Sequence, residues 1–151
     1  LKKVQPTPQM VLGEHRDEDF IDADVVVYSS SVNPNLPQLI KAKEHGREVY
    51  NEFAFAYANC NKPVVAVCGS KGRSTISHMI GYALKMDEKD VFVGGTSSEP
   101  FCNYLIHPNK DFIDYVVVEV SPLQLQSIEN FHPILAVFPN IEERTIEGRF
   151  N

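Results

Sequence analysis

The chain has 151 residues, 43% of them hydrophobic and 23% charged, with a formal net charge of -6. That is length enough for one sizeable core or two incomplete ones, in the composition range of soluble globular proteins. The acidic balance leaves no basic stripe for nucleic acid, no stretch reaches membrane-spanning length, and Cys60, Cys68 and Cys102 are too irregularly spaced for a disulfide framework or a CxxC metal knuckle.

Leu1 to Phe20 carries Pro6, Pro8 and the acidic cluster Glu14, Asp17, Glu18 and Asp19. It is expected to be a weakly ordered lead-in, with a short strand at Met10 to Leu12 and its charges on a solvated face. The opening at Leu1 suggests further sequence upstream. Val25 to Tyr28 is an apolar run of buried parallel-strand type, ended by Ser29-Ser30-Ser31. Asn35 to His45 predicts a helix with Leu36, Leu39, Ile40 and Lys43 on one face, Pro37 in the first turn and Gly46 as its stop. Glu48 to Tyr50 predicts a second strand, and Glu52 to Asn59 a helix in which Phe53 and Tyr57 are packing residues.

Val64 to Val67 is strand-like and runs into Cys68-Gly69-Ser70-Lys71-Gly72-Arg73-Ser74-Thr75, after which a helical pattern continues to Met86. Strand, glycine-bracketed turn, hydroxyl pair and helix form the arrangement that cradles nucleotide phosphates on backbone N–H groups and a helix N-terminus. Two features depart from the strict P-loop pattern: Val67 stands in place of its first glycine and Arg73 in place of its lysine. An ordinary strand-to-helix turn is the other account of this loop. Ile76, Met79, Ile80, Ala83 and Leu84 fall at helical spacing and are expected to face the sheet.

Val91 to Val93 predicts a strand ending at Gly94-Gly95-Thr96, and Asp114 to Val120 is the strongest strand signal in the chain. Leu123 to Asn130 predicts a helix and Ile134 to Phe138 a last strand before Pro139-Asn140. Strands alternating with helices predict an α/β protein with mainly parallel sheets and helices on both faces. Ligands of such sheets sit beyond the carboxyl ends of the strands. The expected site is therefore the rim where Gly69 to Ser74, Gly94 to Thr96, Glu119 to Ser121 and Asn140 to Glu143 converge.

Glu119 interrupts a valine-rich strand, and an isolated buried carboxylate costs several kcal/mol. Magnesium bridging nucleotide phosphates is one partner for it, with Ser74 as the second protein ligand. A structural ion pair or a protonated carboxyl is the other account.

These motifs resemble a known family. Ala66 to Thr75 resembles the Gly-Ser-Asn-Gly-Lys-Ser-Thr segment of the Mur ligases. Val118-Glu119-Val120-Ser121-Pro122-Leu123-Gln124-Leu125 is similar to their Glu-Leu-Ser-Ser-Phe-Gln-Leu segment, in the form of the D-glutamate-adding branch. Ala23 to Ser29, Gly94-Gly95 and Val137 to Ile141 follow in the family's order, so the likeness runs from about Asp22 to Ile141.

The resemblance implies a partial Rossmann-like domain for UDP-substrate over 1–50, followed by part of a P-loop ATPase domain over 51–151. It implies ATP and Mg2+ as cofactors and a UDP-muramoyl substrate whose carboxylate is phosphorylated, then attacked by D-glutamate to form an amide. The cytoplasm is the expected location, with no nucleic-acid or membrane partner. Carried over by motif, Gly69, Ser70, Lys71, Gly72, Arg73, Ser74 and Thr75 would hold the nucleotide, with Arg73 and Glu119 as catalytic residues. Ser74 and Glu119 would hold the metal, and Ser31, Thr96, Ser121, Gln124 and Asn140 would meet substrate.

Three departures accompany the likeness. Arg73 replaces the family's lysine, Thr96 stands where an asparagine is common, and Arg144-Thr145 occupies the place of an Asp-His pair. A chain of 151 residues is also shorter than the whole enzyme, so a fragment is expected. A degenerate relative that binds nucleotide without ligating is the alternative.

Overall fold

A computed structural model of the chain describes residues 8–141 apart from 97, 127 and 129. The Arg144-Thr145 pair and the rim position Glu143 lie outside the described residues. In chain order the elements are α1 (Asp17–Ile21), β1 (Val25–Tyr28), α2 (Pro37–Glu44), β2 (Glu48–Asn51), α3 (Glu52–Ala58), β3 (Val64–Val67), α4 (Arg73–Met86), β4 (Val91–Gly94), β5 (Tyr115–Glu119), α5 (Pro122–Gln126) and β6 (Leu135–Val137). Short 3-10 turns at Phe101–Tyr104 and Lys110–Phe112 join β4 to β5.

Among the described residues two sheets form, one of order β1-β2 and one of order β4-β5-β3-β6, and all their pairings are parallel. The expected mainly parallel α/β architecture is present. Because β3 lies between β5 and β6, the loop that follows it is flanked by Glu119 at the end of β5 and Pro139-Asn140 beyond β6.

Alternation along the central strands sorts the larger core into two layers. Val64, Ala66, Phe92, Val116 and Val118 face α3 and the Phe101 turn, where Phe53 sits edge-on to Phe101 and Phe131 at 5.1 and 5.5 Å between ring centres. Val65, Val67 and Val117 face α4 through Ile76, Ile80 and Leu84. Glu119 follows Val117 by two residues, so the strand's period directs its side chain to the α4 face.

Three expectations about faces need correction. In α4 the innermost residues are Ser77 and Gly81, while Met79 and Ala83 face solvent. The small residues let the helix press onto the sheet: a Cβ at Gly81 would lie 2.5 Å from Val93 Cγ2. In α2 the core face is Leu39 and Ala42, with Ile40 and Lys43 outside. The outer face of β1 is open at Val25 and Val27, so Val26, with the half-buried Tyr28, joins the small core under α1 and α2.

Met10 to Leu12 forms no strand, and both Met10 and Leu12 are more than three-quarters exposed. The acidic cluster instead opens α1, where carboxylates in the first turn suit the helix dipole. Asp17 pairs with Lys41 of α2, Arg16 meets Asp19 at 2.6 Å, and Phe20 packs into the small core. Among the described residues no helix is long and apolar enough to cross a membrane.

Candidate functional site

The loop after β3 turns on two glycines at positive φ, Gly69 at 123° and Gly72 at 78°. At Gly69 a side chain is also excluded by space, because a Cβ would sit 2.8 Å from the Asn140 carbonyl. Asn140 grips the loop through its side chain. Its Oδ1 accepts from Ser70 N–H at 3.1 Å and Lys71 N–H at 3.0 Å, and its Nδ2 donates to the Lys71 carbonyl at 2.9 Å. The family resemblance implies that Asn140 meets substrate; in the fold its side-chain amide clamps the loop.

Gly72 caps α4 without any side-chain hydrogen bond to the first turn. The helix therefore begins with uncapped N–H groups, the feature that favours an anion. Arg73, the first helical residue, folds back so that its Nη1 donates to the Gly69 carbonyl and, at 3.5 Å, to that of Ser70.

The next residue, Ser74, donates from Oγ to Glu119 Oε2 at 3.0 Å, and about one turn on Ser77 Oγ lies 3.3 Å from Oε1. Glu119 is only 6% exposed, and among the described residues no cationic side chain pairs with it. Gly95 packs directly on its backbone, since a Cβ there would lie 2.3 Å from the Glu119 carbonyl oxygen. A buried carboxylate answered by hydroxyls alone is a hard oxygen site with room for a cation's charge. Among the described residues no cluster of three His, Cys, Asp or Glu side chains forms. A cation here would take its other ligands from water and phosphate, as magnesium does.

A cavity of about 770 Å³ opens beside this pair and joins the ends of both sheets. Ser31 from the β1 end, Arg73 and Ser74 from α4, Thr96 after β4, and Glu119, Ser121 and Gln124 from the β5 end all line it. A second hollow of about 980 Å³ runs along α4 past His78, Tyr82 and His107, and Ser74, Thr96 and Glu119 line this one too. Thr75 instead faces a shallower hollow on the outer side of α4.

Several of these residues also hold their own backbone. Ser121 Oγ accepts from Gln124 N–H at 3.2 Å while Gln124 Oε1 accepts from Ser121 N–H at 2.7 Å, a reciprocal capping box at the start of α5. Thr96 Oγ1 accepts from Glu99 N–H at 2.9 Å and so closes the turn after β4. Sequence reasoning missed Ser77, which gave no signal beyond its inward helical position, and Glu52, which lines the cavity and accepts from Cys102 N–H at 2.7 Å. Cys68 is buried, and that burial pushes its thiol up against the opposing pull of Arg73.

The fold and this rim define a parallel α/β protein in which a glycine loop, a helix N-terminus and a hydroxyl–carboxylate pair meet at strand ends. No protein-family model matches the chain. It is 39% identical over 132 residues, 87% of its length, to the UDP-N-acetylmuramoylalanine--D-glutamate ligase of Desulfosudis oleivorans. It is 36% identical over 89% of its length to the ligase of the same name from Desulfatibacillum aliphaticivorans, and 30% identical over 88% to that of Clostridioides difficile. These matches cover 28%, 30% and 29% of the respective relatives, so the chain spans under a third of their length. The resemblance to the D-glutamate-adding Mur ligases thus holds along most of this chain and for a limited segment of theirs.

Proposed function

We propose that this chain is the phosphate-binding segment of an ATP-dependent ligase that adds D-glutamate to UDP-N-acetylmuramoyl-L-alanine in the cytoplasm. Residues 1–50 then belong to a Rossmann-like UDP-substrate domain and 51–151 to the start of an ATP-binding domain. The observation that carries the reading is the 3.0 Å bond between Ser74 and Glu119 at the cavity shared by both sheets.

In this reading the first turn of α4 binds the triphosphate, and Ser74 and Glu119 hold magnesium. Magnesium, when bound, neutralises charge that develops on the phosphates. Ser31, Thr96, Ser121 and Gln124 orient the UDP-linked carboxylate toward the same point, and Asn140 acts through the loop it grips. ATP phosphorylates that carboxylate, and the amine of D-glutamate displaces phosphate to leave an amide. Positioning does most of this work.

The test is calorimetry of ATP with and without magnesium. Magnesium-dependent binding that disappears in Glu119→Gln supports the assignment, and equal affinity in the variant removes it. Phosphate release requiring both the UDP-muramoyl substrate and D-glutamate, measured in a protein of the relatives' length, supports the ligase.

One observation favours a second reading, a nucleotide-binding relative that does not ligate: Arg73 is engaged with the carbonyls of its own loop. Tight binding without turnover, with turnover restored by Arg73→Lys, supports that reading.

A further inference from the structure

We infer that Ser77 is a positioning residue for Glu119, fixing one carboxylate oxygen so that the other is offered, beside Ser74 Oγ, to a divalent cation. The inference rests on the reading of Ser74 and Glu119 as a magnesium pair and extends it to a residue that touches neither nucleotide nor metal.

Ser77 has no exposed surface and lies on the face of α4 that presses on the sheet. Residues three apart on a helix are neighbours on its surface, so Ser74 and Ser77 present two hydroxyls to one carboxylate. Ser74 Oγ takes Oε2 at 3.0 Å and Ser77 Oγ takes Oε1 at 3.3 Å. Among the described residues no other hydrogen bond to this carboxylate is present.

A serine hydroxyl carries a single proton. Ser77 has two acceptors in reach, Glu119 Oε1 and the Ser74 carbonyl at 3.0 Å, so it donates to one at a time. Both acceptors belong to the residues that would ligate the cation. When it serves Oε1, Ser77 ties the carboxylate to the turn of helix carrying the other ligand. Without it, Glu119 keeps one anchored oxygen, and a long side chain must be ordered at the moment of binding. Partners of this kind behind metal ligands commonly contribute tenfold or more to metal affinity.

The experiment dialyses the whole chain against Mn2+, with and without saturating ATP, and measures by electron paramagnetic resonance the Mn2+ held on the protein side above the level of the protein-free side. ATP affinity without metal and the thermal midpoint are measured on the same samples. Ser77→Ala is paired with Ser77→Cys, which keeps the volume while replacing a strong donor by a weak one. Both variants are expected to weaken Mn2+ binding about ten- to a hundredfold with metal-free ATP affinity unchanged. Wild-type Mn2+ affinity in the two variants overturns the inference and leaves the magnesium pair standing. Parallel loss of metal-free ATP binding also overturns it, because that marks a role in the fold at large. A wild-type chain that holds no Mn2+ with ATP present overturns both.

Discussion

Asn140 and Lys71, 69 residues apart, close a two-bond ring: Asn140 Oδ1 accepts from the Lys71 N–H at 3.0 Å and Nδ2 donates to the Lys71 carbonyl at 2.9 Å. The same Oδ1 takes the Ser70 N–H, so the loop's shape is dictated from the end of β6 as much as from β3. Asn140→Ala removes three hydrogen bonds between this side chain and the loop, at a cost of about 1–3 kcal/mol. The expected result is faster amide exchange at Ser70 and Lys71 with a lowered urea midpoint. Unchanged exchange at those two amides would show that the clamp does not shape the loop.

Gly95 and Gly46 form a matched pair of tests. Both have positive φ, at 92° and 74°, but a Cβ at Gly95 would strike the Glu119 backbone at 2.3 Å while one at Gly46 meets open space. Gly46→Ala therefore carries backbone strain alone, about 1 kcal/mol. Gly95→Ala adds a backbone clash and is expected to cost about 3 kcal/mol in total. Denaturant titration of the two variants checks the difference; equal losses would mean that the β4 turn moves aside freely.

Arg73→Lys removes the guanidinium that spans the Gly69 and Ser70 carbonyls and puts a compact ammonium at the head of α4. Magnesium-dependent ATP affinity is expected to rise about tenfold, equivalent to about 1.4 kcal/mol. Calorimetry of the variant beside the parent measures it. A fall in affinity would show that Arg73 leaves its loop to meet phosphate.

Alkaline pH is expected to destabilise the fold. Burial, with the Glu52 carboxylate adding to it, pushes the Cys102 thiol up to about 12 from 9.0. Burial, then Cys60 and Asp111, pushes Tyr104 up to about 12 from 10.0. The unfolded chain releases both protons earlier than the folded one. Stability is thus complete below about pH 9 and falls as pH rises toward about 12. Urea midpoints between pH 8 and pH 11 should decline, and less steeply in Cys102→Ser; a level profile would contradict the shifts.

The sheets were legible because β3 is an unbroken apolar run and β5 carries three valines in a row, and the rim because β5 ends in Glu119, a charge where valine belongs. What stayed hidden has physical causes. α1 reads as a charged lead-in because its stabilising contacts, Asp17 to Lys41 and Phe20 under α2, are tertiary. The stripe on α4 points away from Met79 and Ala83 because Ser77 and Gly81 buy close approach to the sheet, a gain no hydrophobicity pattern registers. Ser121-x-x-Gln124 carries a capping signature in the sequence, and the same two residues line the cavity. The clamp made by Asn140 has no signature in the sequence, since its partners are backbone groups of a distant turn.

β6 pairs only with β3 among the described residues and leaves Ile134, Leu135 and Phe138 more than half exposed. Such an unguarded flank offers a row of free amides and carbonyls to any extended peptide that drifts near. Produced by itself, the chain should therefore scatter more light as it is concentrated, and a lysine introduced at Leu135 should keep it dispersed.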